Sequence, residues 1–273
     1  MEKQMTCCQR YDAWLWNTPG CTQEEKAENH IKAHHKISTR CLFIFRVISA
    51  LILAGHAVGF FINWSSTETG LHLPLVYFTN WSLYVTTTYF VLVSVSYIRR
   101  AKSEAAQSTR SCCGPLWKWS SYLFLLSFTC NMMTTVLFWL LLYPRIEDKS
   151  KLKYGFFSLH GGPLVLSLID FAFNRIVVER NHWVLTVKFG FAYSVMLVIF
   201  TKSSDEDDHF IYPMFKLKTI GSWILLAGNG VFGLLVHFAI YGFSKCKYAC
   251  CCPRKDKDST IVKPNVESSQ SSI

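Results

Sequence analysis

Six long apolar runs, spread over the whole chain, leave little freedom in what this sequence can become. They lie at about residues 42–62, 73–97, 119–143, 154–174, 183–200 and 220–243. A helix needs about 20 apolar residues to cross about 30 Å of hydrocarbon, and most of the runs meet that with few or no charges. The weakest, 183–200, is short and carries Lys188. Inside a bilayer every backbone amide and carbonyl must be paired, which leaves only helices and closed barrels. A barrel would alternate polar and apolar residues over about ten positions, and the runs show no such alternation. The expected fold is all-α: a polytopic membrane protein, a bundle of six transmembrane helices. Residues 1–40 are polar and charged, so the first span is expected to serve as its own targeting signal.

Positive charge orients such a bundle, because Lys and Arg accumulate on the cytosolic side. With six spans both termini share a side. That side carries 19 of the 28 Lys and Arg residues, against 7 opposite, while Arg46 and Lys188 lie within spans. Both termini are therefore expected in the cytosol, in the plasma membrane or the endoplasmic reticulum. The net charge of +10 lies mostly beside the membrane, where it attracts anionic lipid. The basic residues are spread over several loops, so no nucleic-acid partner is expected.

The organisation reads as a cytosolic tail (1–40), one membrane bundle (41–245) and a second cytosolic tail (246–273). Ten of eleven cysteines fall in or beside cytosolic segments, and Cys130 is in the third span. Thiols there stay reduced, so no disulfide framework is expected. Cys250, Cys251 and Cys252 sit among basic residues near the bilayer, a setting that suits S-palmitoylation. The chain ends Ser271-Ser272-Ile273, a terminus of the kind PDZ domains capture. The sequon at Asn63 closes the first span, too near the membrane for use. The acidic run 205–208 before His209 reads as a hydrated loop, and His34-His35 as part of a solvated tail. No metal or organic cofactor is implied.

Polar residues within spans are costly and turn toward the bundle interior or a wet cavity. In the second span Thr79, Ser82, Thr86 and Tyr89 recur at helical spacing, and in the fourth His160, Ser167, Asp170 and Asn174 do the same. Thr79 and His160 each stand six residues inside a run that enters from the same side, about 9 Å deep at about 1.5 Å per residue. A hydroxyl level with an imidazole is a candidate nucleophile and base, and equally a pair of packing groups. Asn80 or Ser82 would supply an oxyanion donor. His56, at similar depth in the close-packing pattern Gly55-x-x-x-Gly59, reads as a supporting residue. Asp170 lies about 15 Å deeper than His160 and is expected to form an ion pair with Lys188 or Arg46.

Tyr77-Phe78-Thr79-Asn80-Trp81-Ser82 resembles the second-span signature of rolling stone proteins. His160-Gly161 followed by Leu168-Ile169-Asp170 resembles their fourth-span signature, and Phe210-Ile211-Tyr212-Pro213 fits as well. The similarity covers roughly 40–245. The fly member of that family is linked to myoblast fusion. The family is distantly similar to the androgen-induced transmembrane proteins, which hydrolyse fatty-acid esters of hydroxy fatty acids with an intramembrane Thr and His. Those positions fall on Thr79 and His160. Gly161-Gly162-Pro163 after the histidine differs from that pattern. The resemblance implies a lipid-ester hydrolase acting on a long-chain ester. A non-catalytic protein of cell–cell adhesion, fusion or scaffolding is the alternative. A transporter built on Asp170, Lys188 and His237 is a third reading.

Overall fold

A computed structural model describes residues 38–65, 77–105, 116–145, 154–176, 178–203 and 219–251. Six α-helices carry it: α1 (Thr39–Ser65), α2 (Phe78–Ala105), α3 (Leu116–Leu137), α4 (Tyr154–Phe173), α5 (Trp183–Ser203) and α6 (Ile220–Cys251). α3 continues into a π turn (Phe138–Leu142) and a 3-10 turn (Tyr143–Arg145), and a 3-10 turn (Arg180–His182) leads into α5. The readings of residues 1–37, the loop 205–209, Cys252 and Ile273 lie outside the described residues. So do the side chains of Asn63, Cys250 and Cys251.

Five of these helices contain stretches long and apolar enough to cross a membrane: Thr39–Ile62, Phe78–Lys102, Leu116–Leu142, Arg180–Thr201 and Ile220–Lys247. The chain is an all-α integral membrane protein. Lys188 does not spoil Arg180–Thr201, and the described apolar section of α4 is Ser158–Phe173.

Large apolar side chains line the outer surface as well as the core, and a set of polar ones is turned inward, unlike a water-soluble fold. Ile44, Ile48 and Leu51 of α1, Phe191 and Ile199 of α5, and Leu235 and Phe243 of α6 are exposed, while Ser82, Thr86, Ser127, Asn131, Ser167 and Asp170 are buried. In lipid no hydrophobic gain draws helices together, so packing and interhelical hydrogen bonds must do it. α3 is the hub: it packs most extensively on α2, and also on α4, α6 and α5, while α1 lies outside against α2 and α4. Aromatic rings fill the centre, with Phe171 of α4 packed 5.7 Å from Phe124 and 5.6 Å from Phe128 of α3.

One expectation is corrected by the packing. Gly55 and Gly59 do not bring α1 close to another helix, because a Cβ at either would meet nothing within 4 Å. The close approach occurs at Gly233 instead, where a Cβ would lie 3.2 Å from Met133 Sδ. The α4–α5 connection is part of the packed interior. Ile176 and Val178 are buried in the main apolar core. Such backbone needs partners, and α6 supplies them. The Val178 amide donates to Ser244 Oγ (2.9 Å), whose hydroxyl faces the Ile176 carbonyl at 3.3 Å. Lys247 Nζ donates to the carbonyls of Phe171 (2.5 Å) and Asn174 (2.9 Å), closing the free end of α4.

Candidate functional site

A polar column runs between α2, α3 and α4, and it has three tiers. The innermost tier centres on Asp170, which is fully buried. Arg46 Nε donates to Asp170 Oδ1 at 2.6 Å. Tyr89 donates its hydroxyl to Oδ2 at 2.5 Å, and Asn174 Nδ2 donates to the same oxygen at 2.8 Å. Burying an ion pair is tolerable when geometry is good and the remaining lone pairs are filled, and both conditions hold here. Arg46 is therefore the partner of Asp170. Lys188 is exposed on the flank of α5, beside the exposed Val187 and Phe191.

The middle tier is built on Asn131 of α3. Ser82 donates its hydroxyl to Asn131 Oδ1. Asn131 Nδ2 lies 2.9 Å from Thr86 Oγ1 and 3.3 Å from the hydroxyls of Ser127 and Ser167. Ser127 also donates to Thr86 Oγ1 at 2.8 Å and stands 3.4 Å from Ser167 Oγ. One amide thus ties three helices together.

The outer tier holds the candidate catalytic pair. Thr79 is half-buried in the first turn of α2. Its neighbours Phe78 and Trp81 pack edge-on against Tyr193 of α5, with centroids 4.9 and 5.7 Å apart. His160 is half-buried too, and α3 grips it twice. Thr135 donates its hydroxyl to the His160 carbonyl at 2.6 Å. The imidazole stacks on Phe138 with centroids 3.7 Å apart and planes at 19°. Phe138 opens the π turn, an irregularity that re-aims side chains and is frequent at functional sites. Pro163 lies inside α4 one turn on; lacking an amide hydrogen, it opens the turn that contains His160.

The supporting residues divide. Asn80 is buried in the turn that starts α2, its amide bonded to the Tyr77 carbonyl at 3.0 Å. The Ser82 proton is directed at Asn131, so it points away from an oxyanion role. His56 is exposed, with Nδ1 2.9 Å from the Ile52 carbonyl and Nε2 3.4 Å from Ser158 Oγ. The sequence reading passed over Ser127, Asn131 and Thr135, the contribution of α3. Their signal was present as three polar residues at four-residue steps in the third span, one helix face.

No protein-family profile, curated protein or solved structure matches this sequence.

Proposed function

We propose that the chain spans the membrane six times with both termini cytosolic. We further infer that it hydrolyses a long-chain lipid ester in the outer half of the bilayer. Thr79 Oγ attacks the ester carbonyl. His160 takes its proton and returns it to the leaving alcohol; a water deprotonated by His160 then attacks the acyl-Thr79 ester, releasing the fatty acid and restoring the Thr79 hydroxyl. Asn80 is the candidate oxyanion donor.

One observation carries this reading. Thr86 and Ser167 meet across the same two groups, Ser127 Oγ and Asn131 Nδ2. Thr79 precedes Thr86 by seven residues, and His160 precedes Ser167 by seven. Seven residues are close to two turns, so each candidate lies on the same face as its partner and about 10.5 Å further out. The middle tier thus supports a common depth and a common direction for the two groups. The aromatic wall beside Thr79 and the ring under His160 suit an apolar substrate entering sideways from lipid.

The test is hydrolysis by the purified protein of a panel of branched long-chain fatty-acid esters. Thr79→Ser is expected to retain part of the activity. Thr79→Val and His160→Ala are expected to lose it while melting like the parent chain. An inactive parent chain, with Thr79→Val and His160→Ala both strongly destabilised, would sink the proposal and leave the pair as packing groups.

A further inference from the structure

α1 packs on α4, and polar side chains tie the two helices at two levels. The inner tie is the Arg46–Asp170 ion pair. The outer tie joins His56 to Ser158, with His56 Nε2 3.4 Å from Ser158 Oγ. Unlike the inner tie it is open to its surroundings: His56 is exposed and Ser158 half-buried. The histidine tautomer follows from its second contact. His56 Nδ1 is 2.9 Å from the Ile52 carbonyl, which can only accept. Nδ1 therefore carries the hydrogen in the neutral ring, and Nε2 turns a lone pair toward the serine hydroxyl. A hydroxyl, a base and a third group that orients the base make up an activated nucleophile. Here a main-chain carbonyl takes the place a carboxylate often fills. Hydrogen bonds of this kind are often long until a substrate is bound.

The surroundings suit a reacting ester. Gly59 lies one turn beyond His56 and Gly162 one turn beyond Ser158, and a Cβ on either meets no described atom within 4 Å. The same holds for Gly55 and Gly161, so bare backbone borders the pair on both helices. Ile52 and Val58 of α1 and Val165 of α4 are exposed nearby, an apolar flank for an acyl chain. α4 begins at Tyr154, which puts Ser158 just inside its first turn. The amides of that turn have no acceptor within the helix and carry the positive end of its dipole. A helical Cβ leans toward the N-terminus, so the serine leans toward donors that suit an oxyanion. Two residues on, His160 turns to another side of α4 and stacks on Phe138.

We propose that Ser158 and His56 form a second acyl-transfer centre, which hydrolyses a glycerolipid ester presented by the surrounding bilayer. Ser158 Oγ attacks the ester carbonyl, and its proton passes to His56 Nε2. The bond from the carbonyl carbon to the glycerol oxygen breaks, and His56 returns the proton to that oxygen. A water molecule then attacks the acyl-serine while giving a proton to His56. The serine oxygen leaves as the fatty acid forms, and it takes the proton back. This centre is separate from Thr79 and His160 and stands whether or not they cleave an ester.

The experiment uses the full chain in phosphatidylcholine nanodiscs with an alkyne-tagged long-chain fluorophosphonate, the adduct being mapped by mass spectrometry. The adduct is expected on Ser158. His56→Gln keeps an amide that can hydrogen-bond Ser158 but supplies no base. It is expected to melt like the parent chain and to slow labelling of Ser158 about a hundredfold, the low end for losing a positioned base. Labelling by the parent chain is expected to rise with pH as the imidazole loses its proton, and the His56→Gln profile to be flat. Labelled dioleoylglycerol added to the discs is expected to release oleate, and Ser158→Ala to abolish that release. An adduct that misses Ser158 overturns the proposal, and an adduct on Thr79 alone would do so while supporting the outer tier. Labelling that His56→Gln leaves unchanged also overturns it. So does oleate release that is absent from the parent chain or unchanged by Ser158→Ala.

Discussion

The two sides of α3 treat polar residues differently. Toward α2 and α4, Asp170 and Asn131 meet partners on nearly every lone pair and hydrogen they have, drawn from four helices. Toward α5 and α6, Thr129, Thr186 and His237 keep polar atoms buried without a partner among the described residues. A satisfied network holds one arrangement of helices rigidly, whereas unsatisfied buried groups are costly. The first side therefore reads as scaffold for the outer tier, and the second contributes less to holding the helices in place.

The comparison breaks most sharply at Asp170. Replacing it with Leu strands the Arg46 guanidinium in the bundle, with an expected loss of about 3–5 kcal/mol, read as a collapse of the melting temperature in detergent. The double change Arg46→Met with Asp170→Leu is expected to regain most of that. If the single variant melts normally, the innermost tier is not what holds α1 to α4. A smaller contrast sets the two seams against each other. Asn131→Leu removes the hub of the middle tier and is expected to cost about 1–3 kcal/mol. Thr186→Val removes a hydroxyl that has no partner among the described residues and is expected to cost nothing in delipidated detergent. Equal penalties in thermal melts would erase the distinction between the seams. The smallest effect is at α1. Gly55→Ala meets open space and is expected to stabilise by about 0.5–1 kcal/mol through helix propensity. A destabilised Gly55→Ala protein would mean that α1 packs where the open space now lies.

Much of the first seam was legible in the sequence because period and depth are properties of one helix at a time. The spacing of Ser82, Thr86 and Tyr89, and of Ser167, Asp170 and Asn174, picked out the two faces that the column joins. Choosing between Arg46 and Lys188 as the partner of Asp170 was harder, because both lie at inner depth and depth says nothing about rotation. The exposed Val187 and Phe191 show that Lys188 turns outward. Gly55 and Gly59 misled for the same reason: small spacing shows that a close approach is allowed, and only the assembled bundle shows where one is made. The share of α3 was overlooked because Ser127, Asn131 and Thr135 stand in a helix that also carries Ser120, Ser121, Thr129 and Thr134, so their stripe is easily lost among other polar residues. The buried α4–α5 connection left even less trace, since its partners Ser244 and Lys247 lie some seventy residues downstream.

That last distance bears on how the protein is made. The carbonyls of Phe171, Asn174 and Ile176 and the amide of Val178 find their partners on α6, a helix synthesised well after the corner itself. Until α6 arrives, the corner between α4 and α5 must hold these groups open at the membrane edge. A chain made only as far as α5 thus has an unsealed corner. The last turns of α6 act as the clasp on this corner.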